Sequence, residues 1–154
     1  MSYRKIIIAG ENNVCSSFMA EVILRGLLKK KGVTEIDVVS RGLVVLFSEP
    51  VAPNAAKLLI ERGYQIEDFR SAQLTEEDMD QADLVLALTD ELADRIHQDY
   101  SSQTACMSLG TFLDVDASIP DVSEGTPEVY LDCFTAIEQL MEAVADRVIG
   151  ELTL

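Results

Sequence analysis

The stretch RKIIIAGENNVCSSFMAEVILR, residues 4–25, decides the fold. Lys5 to Ala9 is a short, mostly β-branched apolar run, as expected of a strand covered on both faces. Phe18, Val22, Ile23, Leu27 and Leu28 then recur at three- and four-residue steps, which predicts one apolar stripe of a helix. Between strand and helix lies the polar loop Gly10-Glu11-Asn12-Asn13-Val14-Cys15-Ser16-Ser17. A tight turn from a strand into a helix N-terminus gathers unpaired N–H groups and the positive end of a dipole around one point. Gly10 to Ser17 is therefore the expected anion-binding loop.

Three further apolar runs, Ile36–Ser40, Asp83–Leu88 and Thr104–Leu109, predict strands. Val51–Arg62 predicts a helix ended by Gly63, and Leu131, Phe134, Ile137, Met141, Val144 and Val148 form the stripe of a last helix, with Thr126 as cap and Pro127 as first residue. Helical stretches alternating with short apolar strands imply parallel pairing through right-handed crossovers. The fold expected is an α/β three-layer sandwich, a four-stranded parallel sheet with helices on both faces. Without linker, repeat or low-complexity segment, residues 1–154 are expected to form one domain. Ligands in such sheets sit beyond the carboxyl ends of the strands, where the order reverses.

Composition narrows the function. The 154 residues are 48% hydrophobic, ample for a buried core, and 12 basic against 27 acidic residues give a net charge of −15 and a pI near 4.2. Such a field opposes nucleic acid and anionic membranes. The one basic run, Lys29-Lys30-Lys31, closes the first helix and complements its dipole. Three cysteines, with no signal peptide and no apolar stretch of spanning length, point to the cytoplasm. A single histidine, His97, and no close cysteine pair argue against zinc, so neither metal nor cofactor is expected. Asp114-Val115-Asp116-Ala117-Ser118 opens with the spacing of a calcium loop, but Ile119 replaces the required glycine and the twelfth position is Gly125, which leaves a polar turn. Cys15 has two readings: a small residue filling the underside of the loop, or a thiol activated by the helix N-terminus.

Residues 9–21 resemble the phosphate-binding loop of the low-molecular-weight protein tyrosine phosphatases, V-C-x-G-N-x-C-R-S-P-M-A-E. Asn13, Cys15, Ser17, Met19, Ala20 and Glu21 match; Asn12 stands for the glycine and Phe18 for the proline. Gly10 stands where the family has its nucleophilic cysteine, and Ser16 where it has the arginine that clamps the phosphoryl oxygens. No cysteine of the chain is followed by arginine six residues later: Cys15 meets Glu21, Cys106 meets Phe112 and Cys133 meets Gln139. The resemblance spans nearly the whole chain. Arg41-Gly42-Leu43 sits at the family's A-G-T, Phe69 to Thr75 resembles H-R-S-R-Q-L-T, Ala82 to Thr89 resembles A-D-L-I-L-x-M-T, and Ile119-Pro120-Asp121-Val122 resembles I-P-D-P, whose aspartate is the general acid.

The resemblance implies strand order 2-1-3-4. It also implies what is missing. A glycine cannot attack phosphorus, and a serine offers one neutral hydrogen bond where a guanidinium offers two charge-assisted ones. Loss of a covalent nucleophile costs a hydrolase on the order of 10⁶ in turnover. Asp121 then has no departing oxygen to protonate, and Gly10, Ser16 and Asp121 read as vestiges of a catalytic set. Glu11 would repel a bound dianion unless it points outward. Asn12 is the expected bearer of a positive φ where the family has glycine. Leu43 to Ser48 lies at the rim where the family places its substrate wall; exposed, it would be a patch for a protein partner.

The function expected is an inactive or strongly impaired relative of these phosphatases, a pseudophosphatase acting as a binding or regulatory protein and retaining at most weak anion binding at the loop. The alternatives are an active phosphotyrosine or aryl phosphate phosphatase with an atypical site, and a redox protein using Cys15. The arsenate reductase branch of the same fold needs a cysteine pair near the third strand, and residues 75–95 contain none.

Overall fold

A computed structural model describes residues 3–119 and 125–152. In chain order the elements are β1 (Lys5–Gly10), α1 (Ser16–Lys30), β2 (Asp37–Gly42), α2 (Pro53–Glu61), α3 (Glu76–Gln81), β3 (Leu84–Ala87), α4 (Asp90–Asp99), β4 (Cys106–Ser108), α5 (Leu109–Leu113) and α6 (Pro127–Leu152). The strands form one parallel sheet in the order β2-β1-β3-β4, with Ile6, Ile7 and Ile8 of β1 aligned to Val38, Val39 and Ser40 on one side and to Leu84, Val85 and Leu86 on the other. The expected fold class and strand order hold.

Successive β1 residues point to opposite faces, yet Ile6, Ile7, Ile8 and Ala9 are all fully buried, so both faces are covered. On one side α1 packs against α6 and α2; α4 packs on β3 and β4. The stripe foreseen on α1 is buried throughout, joined by Met19, Ala20 and Leu24. On α6 the stripe is shifted at its start: Tyr130 is buried and Leu131 lies 38% exposed. Thr126 caps α6 and Pro127 opens it as expected, the Thr126 carbonyl accepting from Val129 and Tyr130 N–H.

Strand ends differ from expectation by at most two residues. β2 runs on to Gly42, because Gly42 N–H donates to the Ala72 carbonyl and Leu74 N–H to Gly42 O, adding a bridge to Gln73. α3 is held by a capping box in which Thr75 Oγ1 accepts from Asp78 N–H and Asp78 Oδ2 accepts from Thr75 N–H. Both α1 and α2 end on a left-handed glycine, Gly32 at φ +86° and Gly63 at φ +85°. The N–H groups of Val33 and Tyr64 reach back to the Leu28 and Leu59 carbonyls, and those of the two glycines to Lys29 and Ile60, so each helix closes on a Schellman motif.

Candidate functional site

The loop after β1 sits at the carboxyl edge of the sheet, beside the point where the order turns from β2-β1 to β1-β3. Its shape is set by Asn13, which is fully buried at φ +63°. The left-handed residue is therefore Asn13, not Asn12 as expected. Its side chain fixes that conformation: Nδ2 donates to Ser17 Oγ and to Ser40 Oγ, both at 2.9 Å, and Oδ1 accepts from Ala72 N–H at 3.0 Å. All three polar positions of the amide are thus used. Asn12 plays a local part, Oδ1 accepting from Val14 N–H at 3.4 Å.

The network continues inward. Ser40 Oγ donates to Glu21 Oε1 at 2.8 Å, and Arg25 donates to Glu21 Oε2 at 2.8 Å. Glu21, 8% exposed, is compensated by that pair one helical turn later. Backbone bonds tie the loop to its surroundings: Leu43 N–H to Gly10 O, Val44 N–H to Glu11 O and Ala52 N–H to Val14 O. These bonds define the shape of the turn.

Around that frame the expected site residues Gly10 to Ser17 are brought together. Gly10 has no side chain to offer, and a Cβ there would lie 3.0 Å from Ser17 Cβ, 3.1 Å from Ser17 Oγ and 3.3 Å from Leu88 Cδ1. Ser16 is buried with its Oγ 3.6 Å from Cys133 Sγ of α6. Cys15 is the N-cap residue of α1 and is fully buried, which fits its reading as a filler of the loop's underside. Ser17 is buried in the Asn13 network, and Val14 is 9% exposed. Glu11 points outward to α4, where Arg95 Nη1 holds its Oε2 at 2.6 Å. No cation is added to the loop's interior by that pair. Asp121 lies outside the described residues.

Rim and loop are connected. The backbone of residues 43–49 is strapped to residues 70–73: Val45 N–H donates to Gln73 Oε1, Gln73 Nε2 to Leu43 O, Ser71 N–H to Glu49 O and Arg70 Nη2 to Ser48 O. Its apolar side chains nevertheless face outward, Leu46 at 82% and Phe47 at 78% exposure, with Val44 at 41%. The run is thus exposed.

Sequence reasoning did not foresee Arg95, Ser40 or Ala72 as loop partners, because each arrives from a distant element. The Glu21–Arg25 pair carried a readable signal, opposite charges four residues apart on a helix. Burial pushes the Cys106 thiol up to about 11, which removes it from thiolate chemistry near neutrality. Among the described residues, no three His, Cys, Asp or Glu side chains are grouped to hold a metal, and no helix is long and apolar enough to cross a membrane.

With this geometry in view, the comparisons with known proteins agree. The family model of low molecular weight phosphotyrosine protein phosphatases matches residues 5–153. The chain is 30% identical to a protein-arginine-phosphatase of Geobacillus stearothermophilus over 149 residues, 96% of this chain and 97% of that one. It is 25% identical to EpsP of Ralstonia nicotianae, a probable low molecular weight protein-tyrosine-phosphatase, over 142 residues, 92% of this chain and 88% of the relative. The solved structure of the YwlE arginine phosphatase from Geobacillus stearothermophilus superposes with a TM-score of 0.86 at 28% identity, covering 97% of this chain and 95% of that one. A buried loop network, a 2-1-3-4 parallel sheet and a match over nearly the whole length lead to one conclusion: the chain belongs to the low molecular weight phosphotyrosine protein phosphatase family.

Proposed function

We propose that this chain has lost the displacement chemistry of its family and works as a binding or regulatory protein, meeting a protein partner at the rim of the former pocket. The observation that carries this reading is the pair Gly10 and Ser16, which occupy the loop positions of nucleophile and clamp. A phosphoryl group entering the turn would meet helix N–H groups alone, without a thiolate to attack it or a guanidinium to hold it. The strapped rim supports the binding half of the reading: Leu46 and Phe47 are presented on a fixed backbone, so little ordering entropy would be lost when a partner covers them.

Relatives named as tyrosine and arginine phosphatases set the reference activity. The test is hydrolysis of an aryl phosphate and of a phosphoarginine substrate by the unmodified chain, beside the double replacement Gly10→Cys with Ser16→Arg. The expected result is turnover at the buffer level for the unmodified chain. Turnover well above buffer, abolished by Cys15→Ser, would establish an atypical nucleophile instead.

A further inference from the structure

We propose that the cleft between the C-terminal half of α1 and the turn after α2 is a second anion site, built for a small polyphosphate. The cleft holds about 720 Å³, within the range of small-molecule sites. Arg25, Lys29 and Lys30 line it from α1, Arg62 from the end of α2, and Glu67 is the one carboxylate among its lining residues. Four of the twelve basic residues of a chain with net charge −15 therefore converge on one concavity.

Three of those four cations, Lys29, Lys30 and Arg62, are not accounted for by ion pairs among the described residues. Arg25 is committed to Glu21. Lys31, the third lysine of the basic run, turns away to Glu142 and Asp146 of α6, each at 3.2 Å. Among the described residues, no carboxylate lies within ion-pair distance of Lys29, Lys30 or Arg62. Nor are they needed as hydrogen-bonding caps, because the Schellman turns already bond the Leu28, Lys29, Leu59 and Ile60 carbonyls. The half-charge at each of the two helix ends offsets only part of the positive field. Arg62 is steadied over the Phe134 ring at 5.5 Å, and Tyr64, whose hydroxyl donates to Glu138 at 2.7 Å, gives the cleft a flat wall beside Leu27.

The overall negative charge opposes a nucleic acid, which spans many Debye lengths, far more than a compact anion seated within about 8 Å of the cations. A di- or triphosphate group, inorganic or carried by a nucleoside, is the chemistry that fits. The site is distinct from the loop, since Ser16 and Lys29 lie about 20 Å apart along the axis of α1.

The test is titration of the ¹⁵N-labelled chain with inorganic tripolyphosphate and, separately, with ATP, in metal-free low-salt buffer, followed by amide shifts. Saturable shifts confined to residues 25–30 and 62–67, with a dissociation constant of about a millimolar or below, are expected for both. Equal affinities would place recognition in the phosphates, and tighter ATP binding would add the Tyr64 wall. Lys29→Glu and Arg62→Glu should each weaken binding about tenfold, while Lys57→Glu, an equal charge change on the exposed face of α2, should leave it within about twofold. Circular dichroism of each variant checks that the fold is kept. Absence of saturable binding by both anions, shifts confined to residues 10–17, or equal loss in the Lys57→Glu control would overturn the proposal.

Discussion

Gly10 and Ser17 approach so closely that a Cβ on the first would lie 3.0 Å from the Cβ of the second. The position is packed as a glycine position, and the contact comes from the first turn of α1, which cannot retreat without disturbing Asn13. Gly10→Ala should therefore destabilise the protein by about 1 kcal/mol, overpacking outweighing the entropy an alanine saves in a strand. In a Ser17→Gly background the same change should cost less by at least about 0.5 kcal/mol. Urea midpoints of the four proteins measure that coupling; strict additivity would contradict the contact.

Asn13 tests the frame of the loop. Replacement by alanine removes three buried hydrogen bonds and leaves a Cβ at φ +63°, and should cost about 3 kcal/mol. Glycine removes the same bonds but accepts the backbone, so Asn13→Gly should be about 1 kcal/mol milder than Asn13→Ala. Equal costs would mean that the left-handed conformation is not held in solution.

Alkaline pH should unfold the protein through its buried acids. Tyr3 is pushed up to about 12, by burial and then by its hydrogen bond to Glu151, while Tyr64 and Tyr100 are raised mainly by burial. Cys106 is raised by burial to about 11. Each folded value exceeds the unfolded one, so the stability they contribute is intact below about pH 9 and is lost as pH rises through the folded values. The chain has no tryptophan, so phenolate absorbance reports tyrosine directly. Native protein should titrate well above its guanidinium-unfolded form, and stability should fall from pH 10 to 12. Coincident titration curves would refute this.

Leu46 and Phe47 are exposed and contribute little to the core. Leu46→Asp with Phe47→Ser should shift the urea midpoint by no more than about 0.5 kcal/mol equivalent, while lowering the fluorescence of a bound apolar dye. A large loss of stability would place those side chains in the core.

The sheet was legible because its strands are short apolar runs covered on both faces, and the loop because a strand passes into a helix across the short stretch Glu11 to Cys15. Helices α3, α4 and α5 left weaker traces. They are short and depend on caps at Thr75, Thr89 and Ser108, a signal of one or two residues against a stripe of five on α1. The Asn12 expectation failed because residue type alone leaves two adjacent asparagines equivalent; Ser17, Ser40 and Ala72 N–H make Asn13 the one that turns left-handed. The pairing of Glu11 with Arg95 across 84 positions had no local sign at all. The split of the lysine run, Lys31 to α6 and its neighbours to a cleft, likewise exists only once α2 and α6 are in place.

The most direct test of the claim that Gly10 and Ser16 end the displacement chemistry is intact-mass analysis of the purified natural chain, quenched in acid after mixing with an aryl phosphate. The unmodified mass alone is predicted. A phosphorylated adduct that peptide mapping places on Cys15, Ser16 or any other residue of the 10–17 loop would contradict the account.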